Sequence, residues 1–236
     1  MKKFDYIFFD CMETLIDLHK LPTIRDYAAW AYDGSGVEGF WADFDEFFRF
    51  YLLAKQDLSS RLPENADYEM RGRFLHIVKL SLTDMPYGLM EATAGILYEN
   101  YWRHYKAGSY VREDVIQTLP KLRKQFKMGV VSNFMVMDGI EELLGLHEIR
   151  ECFEFVVTSV AVGWRKPHPI IYKKALEYAD VAPERVLFVG DDFVNDYIAP
   201  SELGITPFYL DRYDRHPELG NRVTSFNELQ EILLGI

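Results

Sequence analysis

Five short runs of mainly apolar residues constrain this chain more than any other feature. They are Tyr6-Ile7-Phe8-Phe9, Met128-Gly129-Val130-Val131, Phe155-Val156-Val157-Thr158, Val186-Leu187-Phe188-Val189 and Pro207-Phe208-Tyr209-Leu210. None alternates between apolar and polar positions, which is the pattern of strands buried on both faces. Helical patterns separate the later four: about 136–144, 169–178 and 195–203, with a terminal one after Thr224-Ser225, a suitable N-cap pair before Leu229, Ile232 and Leu233. Strand and helix in alternation predict βαβ units and a doubly wound, Rossmann-like parallel sheet, an α/β fold.

The first two runs break the rhythm. About 115 residues separate them, whereas a crossover needs only about a dozen. The interval contains aromatic-rich helical stretches, about 40–53, 68–82 and 89–105, and breakers at its edges, Pro22 and Gly108-Ser109. The expected organisation is therefore a core domain formed by 1–17 and 107–236, and an inserted α-helical cap over 18–106. The Trp, Tyr and Phe residues of the insert read as its own core.

Composition narrows the function classes. The chain has 236 residues, with Lys and Arg totalling 26 against 37 Asp and Glu, a net charge of −11. Apolar residues make up 49%, enough to exclude a disordered chain. The acidic balance argues against a nucleic acid or an anionic membrane as partner, because both need a basic face. No apolar run approaches the roughly 18 residues of a membrane helix. Two cysteines, Cys11 and Cys152, suit a reducing cytoplasm rather than a disulfide scaffold. A homodimer is left open.

Chemistry in such sheets gathers at the carboxyl ends of the strands. The first strand ends at Asp10-Cys11-Met12-Glu13-Thr14, the second at Ser132-Asn133. The third leads to Gly163-Trp164-Arg165-Lys166-Pro167, and the fourth ends at Gly190-Asp191-Asp192, with Asn195-Asp196 beyond. One edge thus collects several carboxylates with a Lys and a Ser. Like charges at that density call for a cation, and hard oxygen ligands suit Mg²⁺. The six histidines show no zinc-site spacing.

Taken together, Asp10 with Thr14-Leu15, Val131-Ser132-Asn133, Gly163 with Lys166-Pro167, and Gly190-Asp191 with Asn195-Asp196 resemble the haloacid dehalogenase superfamily of aspartyl-phosphate hydrolases, in the subgroup with a helical cap after the first strand. The resemblance implies a Mg²⁺-dependent hydrolase of a small phosphorylated metabolite. Asp10 would be the nucleophile, with Lys166 and Ser132 catalytic beside it. Ser132, Asn133, Lys166 and Thr14 would hold the phosphate. Asp10, the carbonyl of Met12, Asp191 and Asp196 would form the metal site, Asp196 through a water or by orienting Lys166.

One position departs from the family. Its phosphatases usually carry a second Asp two residues after the nucleophile, as acid and base; here that residue is Met12, which transfers no proton. Glu13 stands where the family usually has a small residue. Two other readings follow: a dehalogenase-like or phosphonatase-like carbon-centred hydrolase, the latter needing a cap lysine such as Lys55 or Lys79, or a catalytically impaired protein that binds a phosphorylated ligand. Arg71 and Arg73 in the insert read as a solvated face, and 211–216 as a surface loop.

Overall fold

A computed structural model describes residues 4–235. The chain divides into two compact units, one running up to Asp17 and resuming at Tyr110, the other spanning Leu18–Ser109.

The first unit is a six-stranded parallel sheet. Its strands are β1 (Tyr6–Phe9), β4 (Lys127–Ser132), β5 (Phe155–Thr158), β6 (Val186–Gly190), β7 (Thr206–Leu210) and β8 (Arg222–Val223), in the order β5-β4-β1-β6-β7-β8. The chain adds β4 and β5 on one side of β1, then crosses back to add β6, β7 and β8 on the other. The direction of winding therefore switches at β1, which places a crevice beyond its carboxyl end. Runs without polar alternation became strands because each face of the sheet has its own helices. Tyr6, Phe8, Val131 and Phe188 pack with Ile171, Tyr172 and Ala175 of α8 (Pro169–Ala179). On the opposite face Phe9 stacks on Phe226 of α10 (Phe226–Leu234) at 5.8 Å, and α10 packs on α5 (Glu113–Arg123). Ser225 caps α10 as expected, accepting from the Glu228 amide at 3.2 Å.

Three differences from the sequence reading have local causes. Helix α5 runs through Pro120 near its end, a residue that disguises the helical pattern in the sequence. The helix expected at 136–144 is α6 (Gly139–Leu146). The one expected at 195–203 is a wide, π-type turn over Phe193–Ile198 followed by α9 (Ala199–Glu202). Its start moves forward because the Asp192 carboxylate accepts from the amides of Val194 (3.0 Å) and Asn195 (2.8 Å).

The second unit holds α1 (Ile24–Tyr32), α2 (Phe44–Arg61), α3 (Met70–Ser81) and α4 (Tyr87–Gly108). Helix α1 was not anticipated. Its signal is a capping box in which Thr23 accepts from the Asp26 amide while the Asp26 carboxylate accepts from the Thr23 amide at 2.8 Å. The core is aromatic, with Phe47, Tyr51, Phe74 and Tyr101 buried. Arg73, read as solvated, is inside it and donates to the hydroxyls of Tyr68 (2.6 Å) and Tyr51 (3.3 Å). Arg71, Lys55 and Lys79 are exposed. Because α4 runs on to Gly108, this unit extends to Ser109 rather than stopping at 106. The chain leaves the sheet through β2 (Asp17–Leu18) and returns through β3 (Ser109–Tyr110), two short strands that pair. No helix among the described residues is long and apolar enough to cross a membrane.

Candidate active site

The residues that the sequence placed at strand ends meet beyond β1. The Asp10 amide donates to the Val189 carbonyl at 2.9 Å, which ties the end of β1 to β6. Lys166 is only 3% exposed. Its ammonium donates to Asp10 Oδ1 at 2.7 Å and to Asp196 Oδ1 at 2.6 Å, and lies 5.4 Å from the centre of the Phe188 ring. Asp191 completes the group: carboxylate oxygens of Asp10, Asp191 and Asp196 all lie within 4.8 Å of one another.

Three carboxylates therefore crowd a site with one buried ammonium, which bonds two of them. The electrostatics reflect that shortage. Burial, then the charges of Asp10, Asp196 and Glu13, push the Asp191 carboxyl up to about 8. Burial pushes Asp196 up to about 7, against the pull of Lys166. Lys166 is held above its ordinary value by Asp10 and Asp196 despite its burial, so it stays charged. One further cation would complete the balance, and hard oxygen donors at this spacing suit a small divalent ion. Both oxygens of Asp196 are already engaged, one by Lys166 and the other by the Asp192 amide at 3.1 Å. That leaves Asp10 and Asp191 as the carboxylates better placed for direct ligation. Asp192 is exposed and caps the following turn.

Asp196 comes this close because residue 190 is glycine. A Cβ built on Gly190 would fall 2.6 Å from the Asp196 Cβ and overlap its carboxylate. Gly190→Ala should therefore displace Asp196 and cost about 1–3 kcal/mol, the usual range for overpacking. Urea unfolding would show it as a lower midpoint. Gly145→Ala is the comparison, since a Cβ there meets nothing within 4 Å in helix α6; it should be neutral or slightly stabilising.

Ser132 ends β4 and is 1% exposed. Its hydroxyl is the one buried side-chain polar atom without a hydrogen-bond partner among the described residues. Such a group costs free energy unless something meets it. The loop that follows is fixed by Ser159, whose hydroxyl accepts from the Phe134 amide at 2.9 Å.

Two side chains expected at the phosphate have other partners. Asn133 Oδ1 accepts from the Lys166 amide at 2.6 Å, and its Nδ2 donates to the Lys166 carbonyl at 3.0 Å. It clamps the loop that carries Lys166, and only its backbone amide is left for an anion. The Thr14 hydroxyl donates to Asp191 Oδ1 at 3.1 Å, so it orients that carboxylate. Both pairings join distant segments, and nothing in the local sequence signals them.

Met12 bridges to Ile16 across the turn after β1. Glu13 is half-buried, with φ of 61°. Burial, then Asp17 and Asp10, raise its carboxyl. With Asp17, Asp191, Tyr209, Arg212 and Arg215 it lines a cavity of about 20 Å³. The 211–216 segment, read as a surface loop, is anchored. Asp211 is 2% exposed and accepts from the amides of Arg215 and His216, both at 2.8 Å, and from Arg222 Nε at 2.9 Å. Cys11 is buried beside Asp10, and both cysteines are free thiols.

A doubly wound parallel sheet with a lysine clamped between two carboxylates, and a third beside them, at its switch point defines an acid-clustered α/β protein. The chain belongs to the haloacid dehalogenase-like hydrolases: the model of that family matches residues 4–204. It is 28% identical over 222 residues to a glyceraldehyde 3-phosphate phosphatase of Pyrococcus furiosus, covering 93% of this chain and 85% of that one. Over 84 residues, 36% of this chain and 33% of the other, it is 40% identical to the haloacid dehalogenase-like hydrolase domain-containing protein 3 of Homo sapiens. Among solved structures it resembles a 2-haloacid dehalogenase from Pseudomonas syringae pv. Tomato DC3000 (TM-score 0.76, 18% identity, 98% of this chain and 99% of that one). It also resembles a HAD phosphatase from Thermococcus onnurineus (TM-score 0.67, 22% identity, 97% of each chain). At those identities the structural likenesses speak to the fold.

Proposed function

We propose that this protein is a Mg²⁺-dependent phosphatase of small phosphorylated metabolites, working through an aspartyl-phosphate on Asp10. The observation that carries this reading is the single buried ammonium of Lys166 shared between Asp10 and Asp196, with Asp191 beside them. In this reading Lys166 holds Asp10 Oδ1, leaving Oδ2 to attack phosphorus. The bond to Asp10 forms as the bond to the departing alcohol oxygen breaks. Water then cleaves the phosphoryl group from Asp10, releasing phosphate and restoring the carboxylate. Ser132 Oγ and the Asn133 amide receive phosphoryl oxygens, and Lys166 neutralises charge in the transition state. Asp10, the Met12 carbonyl and Asp191 would hold Mg²⁺, with Asp196 behind them. When bound, the ion supplies positive charge to the phosphoryl group. The helical unit acts as a cap that controls access of substrate and water, and two free thiols suit a cytoplasmic location.

The relative from Pyrococcus furiosus makes glyceraldehyde 3-phosphate the first substrate to test. Phosphate release from it and from an aryl phosphate, with Mg²⁺ and with chelator, tests the reading. Release that ignores the chelator counts against the metal. Met12 favours one other reading, a dehalogenase-like reaction, because it leaves the acid position apolar. Halide release from a 2-haloacid in chelator would move the assignment there. Binding of phosphorylated ligands without any turnover would leave a binding protein.

Met12 has a consequence within the phosphatase reading. Without a proton donor at that position, alkyl phosphates suffer most and aryl or acyl phosphates least. The rate should depend steeply on leaving-group acidity. Met12→Asp should flatten that dependence and speed alkyl phosphate hydrolysis by up to about 10²-fold. A native enzyme already indifferent to the leaving group would contradict this account.

A further inference from the structure

We propose that Arg212 is a positioning residue for the metal-binding loop after β1, an inference that rests on the proposed Mg²⁺ site. The turn over 11–16 folds its amides inward: those of Leu15 and Ile16 donate to the Cys11 carbonyl at 2.8 and 2.9 Å. The carbonyls of Glu13 and Thr14 stand outside that set. Arg212 takes both, with Nη1 on the Glu13 carbonyl and Nη2 on the Thr14 carbonyl at 3.0 Å. The pairing spans 198 residues.

The donor itself is firmly held. The Arg212 side chain is 10% exposed and lies 4.0 Å from Asp17, which in turn binds Arg112 Nε at 2.5 Å. Its neighbour Asp211 is buried, and the Asp211 amide donates to the Val223 carbonyl of β8 at 2.8 Å. Arg212 thus enters the loop from a strap that is hydrogen-bonded at Asp211.

The clamp bears on the metal site through two adjoining groups. Thr14, whose carbonyl Arg212 holds, orients Asp191 with its hydroxyl. Glu13, whose carbonyl Arg212 also holds, sits at φ of 61°. That left-handed conformation is disfavoured for a residue with a Cβ and free for glycine. Rotation about φ of Glu13 turns the peptide that contains the Met12 carbonyl. That peptide is tied inside the turn by the Glu13 amide, which donates to the Ile16 carbonyl at 2.9 Å; released from Arg212, Glu13 would relax toward negative φ at the expense of this bond and shift the Met12 carbonyl. Arg212 therefore keeps a strained residue in place between Met12 and Thr14, the partner of Asp191.

Calorimetric titration of the full-length protein with Mg²⁺, together with the Mg²⁺-induced shift in melting temperature, tests this without substrate. Arg212→Ala should weaken Mg²⁺ binding by about 10-fold or more, the scale seen when outer partners of metal ligands are removed. Arg212→Lys should fall between, because an ammonium cannot span both carbonyls as the guanidinium fork does; it carries the comparison if the alanine variant does not fold. Adding Glu13→Gly to Arg212→Ala should recover affinity, since glycine holds positive φ unaided. Arg222→Ala loosens the same strap at Asp211 but leaves its bond to Val223; it should lower the melting temperature and cost clearly less Mg²⁺ affinity than Arg212→Ala. A purely structural role predicts the opposite pattern: Arg212 variants that melt earlier with native Mg²⁺ affinity, no recovery with Glu13→Gly, or an equal loss with Arg222→Ala. Any of these overturns the proposal. A native protein with no Mg²⁺ response would instead remove the metal site, and the clamp's purpose with it.

Discussion

Asp10→Asn should abolish turnover and leave the fold standing. The two side chains share a shape, and the amide oxygen can still accept from Lys166, which holds Asp10 Oδ1 at 2.7 Å. What disappears is the negative charge on the oxygen that would attack phosphorus in the proposed mechanism. Removal of an attacking group acts on the scale of at least about 10³-fold in kcat, so phosphate release should drop to background at saturating substrate. The same substitution reduces three crowded carboxylates to two. Asp191 and Asp196, both pushed upward partly by the Asp10 charge, gain from its loss. The metal-free variant should therefore melt no lower than the native protein, while its gain in melting temperature on adding Mg²⁺ shrinks. Turnover near the native rate would place the nucleophile elsewhere.

Lys166→Met has the opposite stability signature. Methionine fills a similar volume and brings no charge. The variant would leave Asp10 and Asp196 in a buried setting without the ammonium that now binds both. Breaking a buried ion pair by removing one partner costs about 3–5 kcal/mol. In a chain of this size that is a melting temperature lower by on the order of 10 °C, and turnover should vanish with it. Arginine should not restore activity, because its planar fork cannot replace a compact ammonium between two carboxylates. A double variant, Asp10→Asn with Lys166→Met, should melt above Lys166→Met alone, because one of the stranded charges is gone. That non-additivity is the mark of groups in direct contact. A Lys166→Met protein as stable and active as the native one would refute the clamp.

Both predictions rest on residues that could be read from the chain before any coordinates, and the reason is periodic. A strand buried on both faces must be apolar throughout, so β1 and β5 were located to the residue and β4, β6 and β7 to within a residue or so at each end. Parallel strands separated by helices must all point the same way. Whatever follows Phe9, Val131 and Val189 must then gather at one edge, and Asp10, Ser132 and Asp191 do. The excess of residues between β1 and β4 likewise announced an insertion with a helical, aromatic interior.

What the chain did not disclose are the partners of polar groups across long separations. Asn133 serves the backbone of Lys166, Thr14 serves Asp191, and Arg212 serves the carbonyls of Glu13 and Thr14. The 211–216 segment is polar enough to pass for a solvated loop, yet Asp211 is buried among amides and Arg222. Apolar burial has a period of about two or 3.6 residues that survives in one dimension. A hydrogen-bond partner is chosen by which unsatisfied backbone group faces which side chain once the turn over 11–16 has closed, and that facing has no period. The local chain thus dictated where charge and hydroxyl would collect, and the tertiary packing decided which of them hold the site in shape.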